Sequence, residues 1–239
     1  MLFRSVKTSA KKEKSKHSAL SFRHFVLGTV AIFIYVGVEV GIPNFANLFM
    51  TSPEINIDPT IAGSVVGTYW FLMMIGRLCG ASIGAKVSSR AMLTVVSTVG
   101  IALVLGAIFC ADNILVNMPV FKSDISFGFA QVPVNVMLLI LCGLCTSVMW
   151  GGIFNLAVEG LGKYTAAASG LFMVMVCGGG ILPLIQGGVA DFAGFLNSYW
   201  VIALGLAYIL FYAAIGSKNV NTDIPTDDYE RSEERRVGK

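Results

Sequence analysis

Charged residues are scarce in this sequence. Only 13% of its 239 residues are Asp, Glu, Lys or Arg, and 55% are hydrophobic. A soluble domain of ordinary composition carries roughly 25% charged residues. The deficit excludes a globule whose whole surface faces water, because there is too little charge to cover it.

Histidines and clustered reactive groups are scarce as well. The two histidines, His17 and His24, lie in or beside the N-terminal segment, so the apolar segments cannot hold a histidine-rich metal site. Cys142 and Cys145 match a C-x-x-C redox or metal pattern, but in an apolar segment they are better interpreted as small packing residues. We expect no enzyme activity and no bound cofactor or metal.

Long apolar runs are what the sequence has in abundance. Six segments match or approach the roughly 20 residues that a helix needs to cross a hydrocarbon core of about 30 Å. They are Phe25–Phe49, Ile61–Gly84, Ala91–Ala111, Val134–Val158, Tyr164–Ala190 and Tyr199–Gly216. Membrane barrel strands are about 10 residues long and alternate, so strands are not expected. The sequence predicts an all-α polytopic membrane protein with six transmembrane helices over residues 24–217.

Basic residues are distributed unevenly between the two sides of this arrangement. Six spans place both termini and the second and fourth loops on one side, which holds most of the Lys and Arg, whereas the other side holds only Lys122. The positive-inside rule then predicts that both termini are cytoplasmic, in an inner (plasma) membrane. The basic run Lys11–Lys16 is better explained as an anchor on acidic lipid than as a nucleic-acid arm.

The two ends of the chain are predicted to lie outside the membrane domain. Residues 1–23 form a cytoplasmic basic linker; a cleaved signal peptide is less favoured, because the apolar run that follows is long and lacks an A-x-A site. Residues 218–230 are a cytoplasmic tail. Residues 231–239, RSEERRVGK, resemble a translated sequencing adapter and are expected to be non-native, with an ordinary solvated tail as the alternative.

Glu39 is a carboxylate inside the first span, roughly 21 Å along a helix from Phe25. Ionised carboxylates are costly in hydrocarbon, so Glu39 must face a cavity, find a partner or bind a proton. We predict that it binds a solute or a proton, together with Asn44 and Asn47 near the outer mouth. The alternative is a neutral carboxyl that holds helices together.

Arg77 lies in the second span, in its cytoplasmic third. Two interpretations stay open. Its long side chain can reach toward the lipid headgroups, or it can pair with Glu159 as part of an inner gate.

The fourth span carries Trp150 beside two glycines, with Asn155 further along the helix. An aromatic ring next to glycines offers a flat platform with room for a ligand above it. We therefore predict that Trp150 and Asn155 contact a solute.

The fifth span is interrupted in the sequence by Gly178, Gly179, Gly180 and Pro183. Proline removes its own N–H and frees the carbonyl four residues back, and irregular backbone in a membrane is tolerated where it lines a cavity or is buried in protein. We predict a helix break used in gating there, with the Gln186 amide binding sugar hydroxyls. A glycine packing seam with one buried amide is the alternative.

Four segments resemble a known family. They are Tyr35–Phe49, Gly67–Ala81, Ser147–Gly170 and Gly178–Asp191, and the turn GLGKYT followed by ASG is the most specific. Over residues 20 to 218 the chain is similar to the C-terminal six-helix half of a major facilitator superfamily sugar permease, of the fucose/glucose–galactose proton-symporter family.

This resemblance implies a fold and an activity. The expected whole has twelve helices in two halves around a cavity, with alternating access by rocking of the halves. It implies that Trp150 faces the cavity, that the coupling ion is a proton, and that the proton-carrying carboxylates lie in the N-terminal half, which this sequence lacks. Glu39 is therefore a candidate on its own position only.

The leading hypothesis is half of a secondary transporter that moves a monosaccharide, of the fucose, glucose or galactose class, across the inner membrane. Its expected partners are the sugar, the lipid bilayer and an N-terminal six-helix half, with no nucleic acid. The alternatives are a non-transporting membrane sensor or scaffold and a half-transporter that dimerises. An intramembrane enzyme is least favoured, because no nucleophile–base pair is present.

Overall fold

The computed structural model describes residues 17–111, 113–122, 124–221, 223–224 and 226. Within these residues, six helical spans are long and apolar enough to cross a membrane. They are Arg23–Thr51, Pro59–Gly84, Ser89–Phe109, Val134–Val158, Gly162–Ala193 and Phe195–Gly216. The predicted all-α polytopic fold with six transmembrane helices is confirmed. Most of the predicted linker, and all of the tail at 231–239, lie outside the described residues.

The first three spans are unbroken helices. They are α1 (Arg23–Thr51), α2 (Pro59–Gly84) and α3 (Ser89–Phe109). The start of α2 is fixed by its sequence, since Asp58 accepts a hydrogen bond from the Thr60 backbone N–H at 2.8 Å and Pro59 holds the first position. That hydrogen bond lowers the pKa of the exposed Asp58 carboxyl, because it favours the charged form.

The last three spans are each interrupted. The fourth consists of α4 (Val134–Thr146) and α5 (Met149–Val158), and the fifth of α6 (Thr165–Val174), a 3-10 turn and α7 (Gly178–Ala193). The sixth is α8 (Phe195–Phe211), which continues as a π-helical turn over Tyr212–Gly216. Such turns within membrane helices are tolerated because neighbouring groups satisfy the freed backbone atoms.

Helix α1 is the centre of the bundle. It packs against α7, α5, α8, α4 and α2, and most of its side chains are buried. A helix that is apolar on all sides is normally buried among other elements, as α1 is here. Two tyrosine hydroxyls of α8 donate to α1 carbonyls, Tyr199 to Ile42 at 2.8 Å and Tyr208 to Leu27 at 3.2 Å.

A β-hairpin lies between α3 and α4, where no strand was expected. Strand β1 (Leu115–Phe121) pairs antiparallel with β2 (Phe127–Pro133), so that Leu115 is opposite Pro133 and Phe121 is opposite Phe127. The six apolar runs are helical as expected, and the hairpin lies in the connection between the third and fourth of them. A short hairpin outside the bilayer needs no closed barrel, since water satisfies its free edges.

Candidate solute-binding site

A cavity of about 600 Å³ lies where α2 faces the start of α3 and the junction of α4 and α5. The cavity is bordered by polar, aromatic and glycine residues, among them Arg77, Ser89, Ser147, Trp150, Gly152 and Asn155. Three residues that were predicted as functional, Arg77, Trp150 and Asn155, are therefore brought to one wall although they come from two spans.

Arg77 is paired with Glu39 across this wall. One guanidinium nitrogen donates to Glu39 Oε1 at 3.1 Å, and the arginine side chain is 57% exposed whereas the glutamate side chain is 13% exposed. The exposed remainder of the guanidinium borders the cavity. Glu39 thus neutralises a cation that keeps free N–H donors for a ligand.

The predicted pairing of Arg77 with Glu159 is contradicted. Glu159 is exposed at the C-terminal end of α5, and its backbone carbonyl contacts Nε2 of the buried His24 at 2.9 Å. Helix α2 packs against α1, so its arginine meets the α1 glutamate instead. That the guanidinium reaches toward the headgroups stays a prediction.

Two buried tyrosines support the Glu39 segment of α1. The Tyr35 hydroxyl donates to the Thr146 carbonyl at 3.1 Å, and the Tyr69 hydroxyl donates to the Glu39 carbonyl at 3.1 Å. Tyr69 also lies 3.0 Å from the Thr146 hydroxyl. These bonds hold α1 and α2 against the end of α4, where the fourth span is interrupted before Trp150.

Trp150 is half-buried at the cavity wall. Its ring has edge-on contacts with Tyr35, at 6.2 Å between centroids, and with Phe172, at 6.0 Å. A Cβ placed on the neighbouring Gly151 would meet no heavy atom within 4 Å. The ring is therefore held in place on two sides and has open space beside it, which suits a platform for a ligand.

Asn155 lies at the inner end of the cavity. Its amide donates to the Ser89 hydroxyl at 3.4 Å, and both residues also border a second, polar cavity of about 340 Å³ that Arg90 and Glu159 reach. The two cavities share this wall. Polar cavity walls therefore continue from the ion pair toward Arg90 and Glu159.

Three predicted binding residues are placed elsewhere. Asn44 is exposed and Asn47 half-buried, further along α1 toward its outer end. Gln186 is fully buried in α7, where its amide donates to the Ser198 hydroxyl at 3.4 Å. Its placement matches the alternative of a buried amide between helices, because burial in this chain closes it to a solute.

The interruption of the fifth span lies before the predicted position. The 3-10 turn covers Met175–Cys177, and α7 runs from Gly178 through Pro183 without a break. A Cβ on Gly178 would overlap the Phe33 carbonyl of α1, so this glycine permits close helix contact. Gly179 also faces α1, whereas a Cβ on Gly180 would meet open space.

Sequence reasoning missed two serines of this site. Ser89 belongs to no recognisable sequence motif, and Ser147 lies in an apolar run. Neither serine is therefore predicted as a binding residue from the sequence. The only available hint for Ser147 was its position three residues before Trp150, on the same side of a helix.

No protein-family model matches the sequence. It is similar to the glucose/galactose transporter of Brucella abortus, with 31% identity over 208 residues, and to the putative glucose/galactose transporter of Helicobacter pylori, with 32% over 212 residues. Each match covers 87% of this chain. The L-fucose-proton symporter of Escherichia coli is 23% identical over 82% of the chain.

The chain spans about half the length of the curated relatives it matches, since these matches cover 46%, 47% and 40% of them. All three carry the names of transporters rather than enzymes, as expected for this chain.

Solved structures confirm the fold. A crystal structure of FucP, a major facilitator superfamily transporter in its outward conformation, superposes with a TM-score of 0.69 at 23% identity, over 82% of this chain and 43% of FucP. A variant of the E. coli fucose:proton symporter FucP gives a TM-score of 0.72, over 88% of this chain and 48% of that one. At this identity the likeness concerns the fold.

Proposed function

We propose that this chain, which has the fold of one six-helix half of a major facilitator superfamily transporter, forms one wall of a monosaccharide pathway. The relatives are named for glucose, galactose and L-fucose, so the proposed substrate is a neutral hexose or deoxyhexose. A second six-helix half, such as the relatives' length allows for, would complete the cavity.

The observation that carries this proposal is the wall that Arg77, Trp150 and Asn155 form, with Glu39 as the ion-pair partner of Arg77. The arginine is neutralised by Glu39, so the wall offers N–H donors without a net charge from this pair. A neutral polyol can accept from the guanidinium and bond the amide with its hydroxyls, while its apolar face lies on the indole ring. An anionic solute would gain less, because the cation already has a partner.

Proton coupling is part of the proposal. Glu39 is the acidic partner of Arg77, and protonation of its carboxyl would remove the charge that holds the guanidinium. Arg77 would then be free to turn toward the sugar, which links proton uptake to binding. Orientation in an inner membrane, with both termini cytoplasmic, is proposed from the distribution of basic residues.

The test measures equilibrium binding of labelled D-glucose, D-galactose and L-fucose to the chain in lipid nanodiscs, with D-glucuronate as the charged comparison. Saturable binding of a neutral sugar, competed poorly by glucuronate, is expected. No saturable binding of any hexose, or a preference for glucuronate, would overturn the proposal.

Counterflow in proteoliposomes then separates transport from binding alone. Hexose exchange by the chain together with a complementary six-helix half is expected. Exchange by the chain alone, with a stable homodimer, would instead identify a dimerising half-transporter. Binding without exchange in either form would identify a sensor.

A further inference from the structure

A third cavity, of about 950 Å³, lies between the outer half of α2 and the tip of the β-hairpin. Its lining combines aromatic rings with small and polar residues, among them Ser64, Trp70, Phe71, Phe121, Lys122 and Phe127. None of these residues lines the cavity beside Trp150. That cavity begins further along α2, at Arg77.

The hairpin is held onto α2 by specific contacts. The Phe121 backbone N–H donates to the Thr68 hydroxyl at 2.9 Å. Phe71 stacks on Phe121 with centroids 4.8 Å apart and planes 9° apart, and meets Phe127 edge-on at 5.5 Å. A Cβ on Gly67 would lie 3.3 Å from the Phe121 carbonyl, so glycine permits this approach. The hairpin tip is therefore a fixed wall of the cavity.

The outer cavity shares one face of α2 with the ion pair. Residues spaced by four and three positions lie on one side of a helix, and this spacing relates Gly63, Gly67, Trp70, Met74 and Arg77. Trp70 and Arg77 are separated by about 10 Å along the axis at 1.5 Å per residue. A face that carries an arginine inside a membrane faces water or protein rather than lipid. The two cavities thus follow each other along α2.

The chemistry of the outer cavity suits a sugar. Trp70 is 43% exposed and Phe127 is 66% exposed, so flat apolar rings face the space. The Ser64 hydroxyl donates to the Thr60 carbonyl at 3.0 Å and keeps its acceptor lone pairs, and Lys122 at the tip is exposed. Rings beside a few hydroxyl and ammonium groups match a ligand with an apolar face and a rim of hydroxyls.

We propose that this cavity is an outer sugar site, where a neutral monosaccharide binds under the hairpin tip before it reaches Arg77. This site rests on the proposed function, because it takes the same solute. Trp70 and Phe127 contact the apolar face of the sugar, and Lys122 and Ser64 hydrogen-bond its hydroxyls.

The chain offers a direct test, because its three tryptophans are Trp70, Trp150 and Trp200. Two single-tryptophan chains are made by changing the other two residues to Phe, which leaves an aromatic ring at each position. D-galactose is titrated into each chain in nanodiscs while tryptophan emission is followed. A saturable change is expected at Trp70 and at Trp150, each with its own midpoint.

A matched pair of substitutions tests the hairpin tip. Phe127→Ser removes a ring that lines the cavity, whereas Phe129→Ser removes a ring two residues along the same strand that is 78% exposed and outside the lining. We expect Phe127→Ser to weaken galactose binding at Trp70 about 2- to 10-fold, as for loss of one aromatic contact. Phe129→Ser should leave the Trp70 midpoint unchanged.

The outcomes separate this site from the proposed function. A response at Trp150 without one at Trp70 overturns the outer site and keeps the function. No response at either tryptophan overturns both. Quenching of Trp70 by brominated lipid, with no response to galactose, would show that lipid fills the cavity and would also overturn the site, as would equal effects of the two Phe substitutions.

Discussion

Trp150 has a fixed position because Tyr35 and Phe172 contact its ring edge-on. At the scale of single residues this aromatic platform is therefore preorganised, and a ligand need not order the indole ring when it binds. Glu39 and Arg77 are joined by an ion pair of 3.1 Å. Two predictions follow from the indole ring and from the ion pair.

Replacing the indole should weaken binding without unfolding the chain. We expect Trp150→Ala to weaken hexose binding about tenfold, which corresponds to roughly 1.4 kcal/mol for a lost aromatic contact. The control is Trp200→Ala, because Trp200 is exposed and contacts Phe109 instead of the cavity. Equal effects of the two substitutions on hexose binding in nanodiscs would remove Trp150 from the site.

Removing the acidic partner should change the charge preference of the site. Glu39→Gln leaves the Arg77 guanidinium without a counterion, so we expect the affinity for D-glucuronate to rise relative to the affinity for D-galactose. Glu54→Gln serves as control, since Glu54 is a carboxylate in the loop between α1 and α2. An unchanged ratio of the two affinities in the Glu39→Gln chain would contradict the proposed role of the pair.

At the scale of secondary-structure elements, α7 and α1 form a close helix contact. Gly178 faces the backbone of Phe33, whereas Gly180, two residues further, faces open space. The sequence predicts a gating role for this glycine run. Its first residue, Gly178, instead lies in a close packing contact between two helices. The interruption itself is the preceding 3-10 turn, Met175–Cys177.

The two glycines should respond differently to the same added methyl group. Gly178→Ala forces the Phe33 carbonyl to move, so we expect the free energy of unfolding to fall by about 1–3 kcal/mol, as for an overpacked core. Gly180→Ala should be neutral or stabilising, because alanine favours a helix over glycine by up to about 1 kcal/mol. Unfolding by SDS, followed by circular dichroism, measures both. A Gly180→Ala chain as unstable as Gly178→Ala would argue against the packing role.

At the scale of the whole molecule, the two larger cavities follow α2, and the smallest lies between the start of α3 and the end of α5. The proposed solute path would therefore run from the hairpin side to the side of Arg90 and Glu159. The predicted cytoplasmic side is the second of these.

Thiol labelling tests this direction. In a chain whose five cysteines are replaced by alanine, Asp124→Cys places a thiol at the exposed hairpin tip and Lys86→Cys places one at the exposed α2–α3 loop. In intact spheroplasts we expect a membrane-impermeant maleimide to label the first thiol and to label the second only after permeabilisation. The reverse pattern would invert the proposed topology.

The sequence was sufficient for the spans but not for every contact. Six runs of about 20 apolar residues predict six helices because the bilayer leaves few other folds possible. Glu39 was recognised from its cost in hydrocarbon, but its partner was not, since spacing along one helix does not show which helix lies beside it. The resemblance predicted the fold of a six-helix half of a major facilitator superfamily transporter, and the solved structures confirm that fold.

Two other differences have local causes. The sequence around Gln186 is compatible both with a cavity wall and with a helix interface. Only the packing of α7 against α8 shows that the residue is buried. The sequence pattern does not predict the hairpin, because Pro119 and Gly128 lie within its strands and both residues ordinarily argue against a strand. At the edge of a two-stranded sheet neither one is costly.

The hairpin also has a consequence for assembly. Its base is closed by the Leu115–Pro133 pair and by a hydrogen bond of 2.8 Å from the Val134 backbone N–H to the Ile114 carbonyl. Because the hairpin base is closed, the end of α3 and the start of α4 lie close together. The long connection therefore spans only a short distance between the two helices. Pairing within the hairpin therefore offsets part of the entropy of closing that loop. Residues can be added at the hairpin tip without moving α3 and α4 apart, which makes this connection a place where the chain can vary in length at little cost to the bundle.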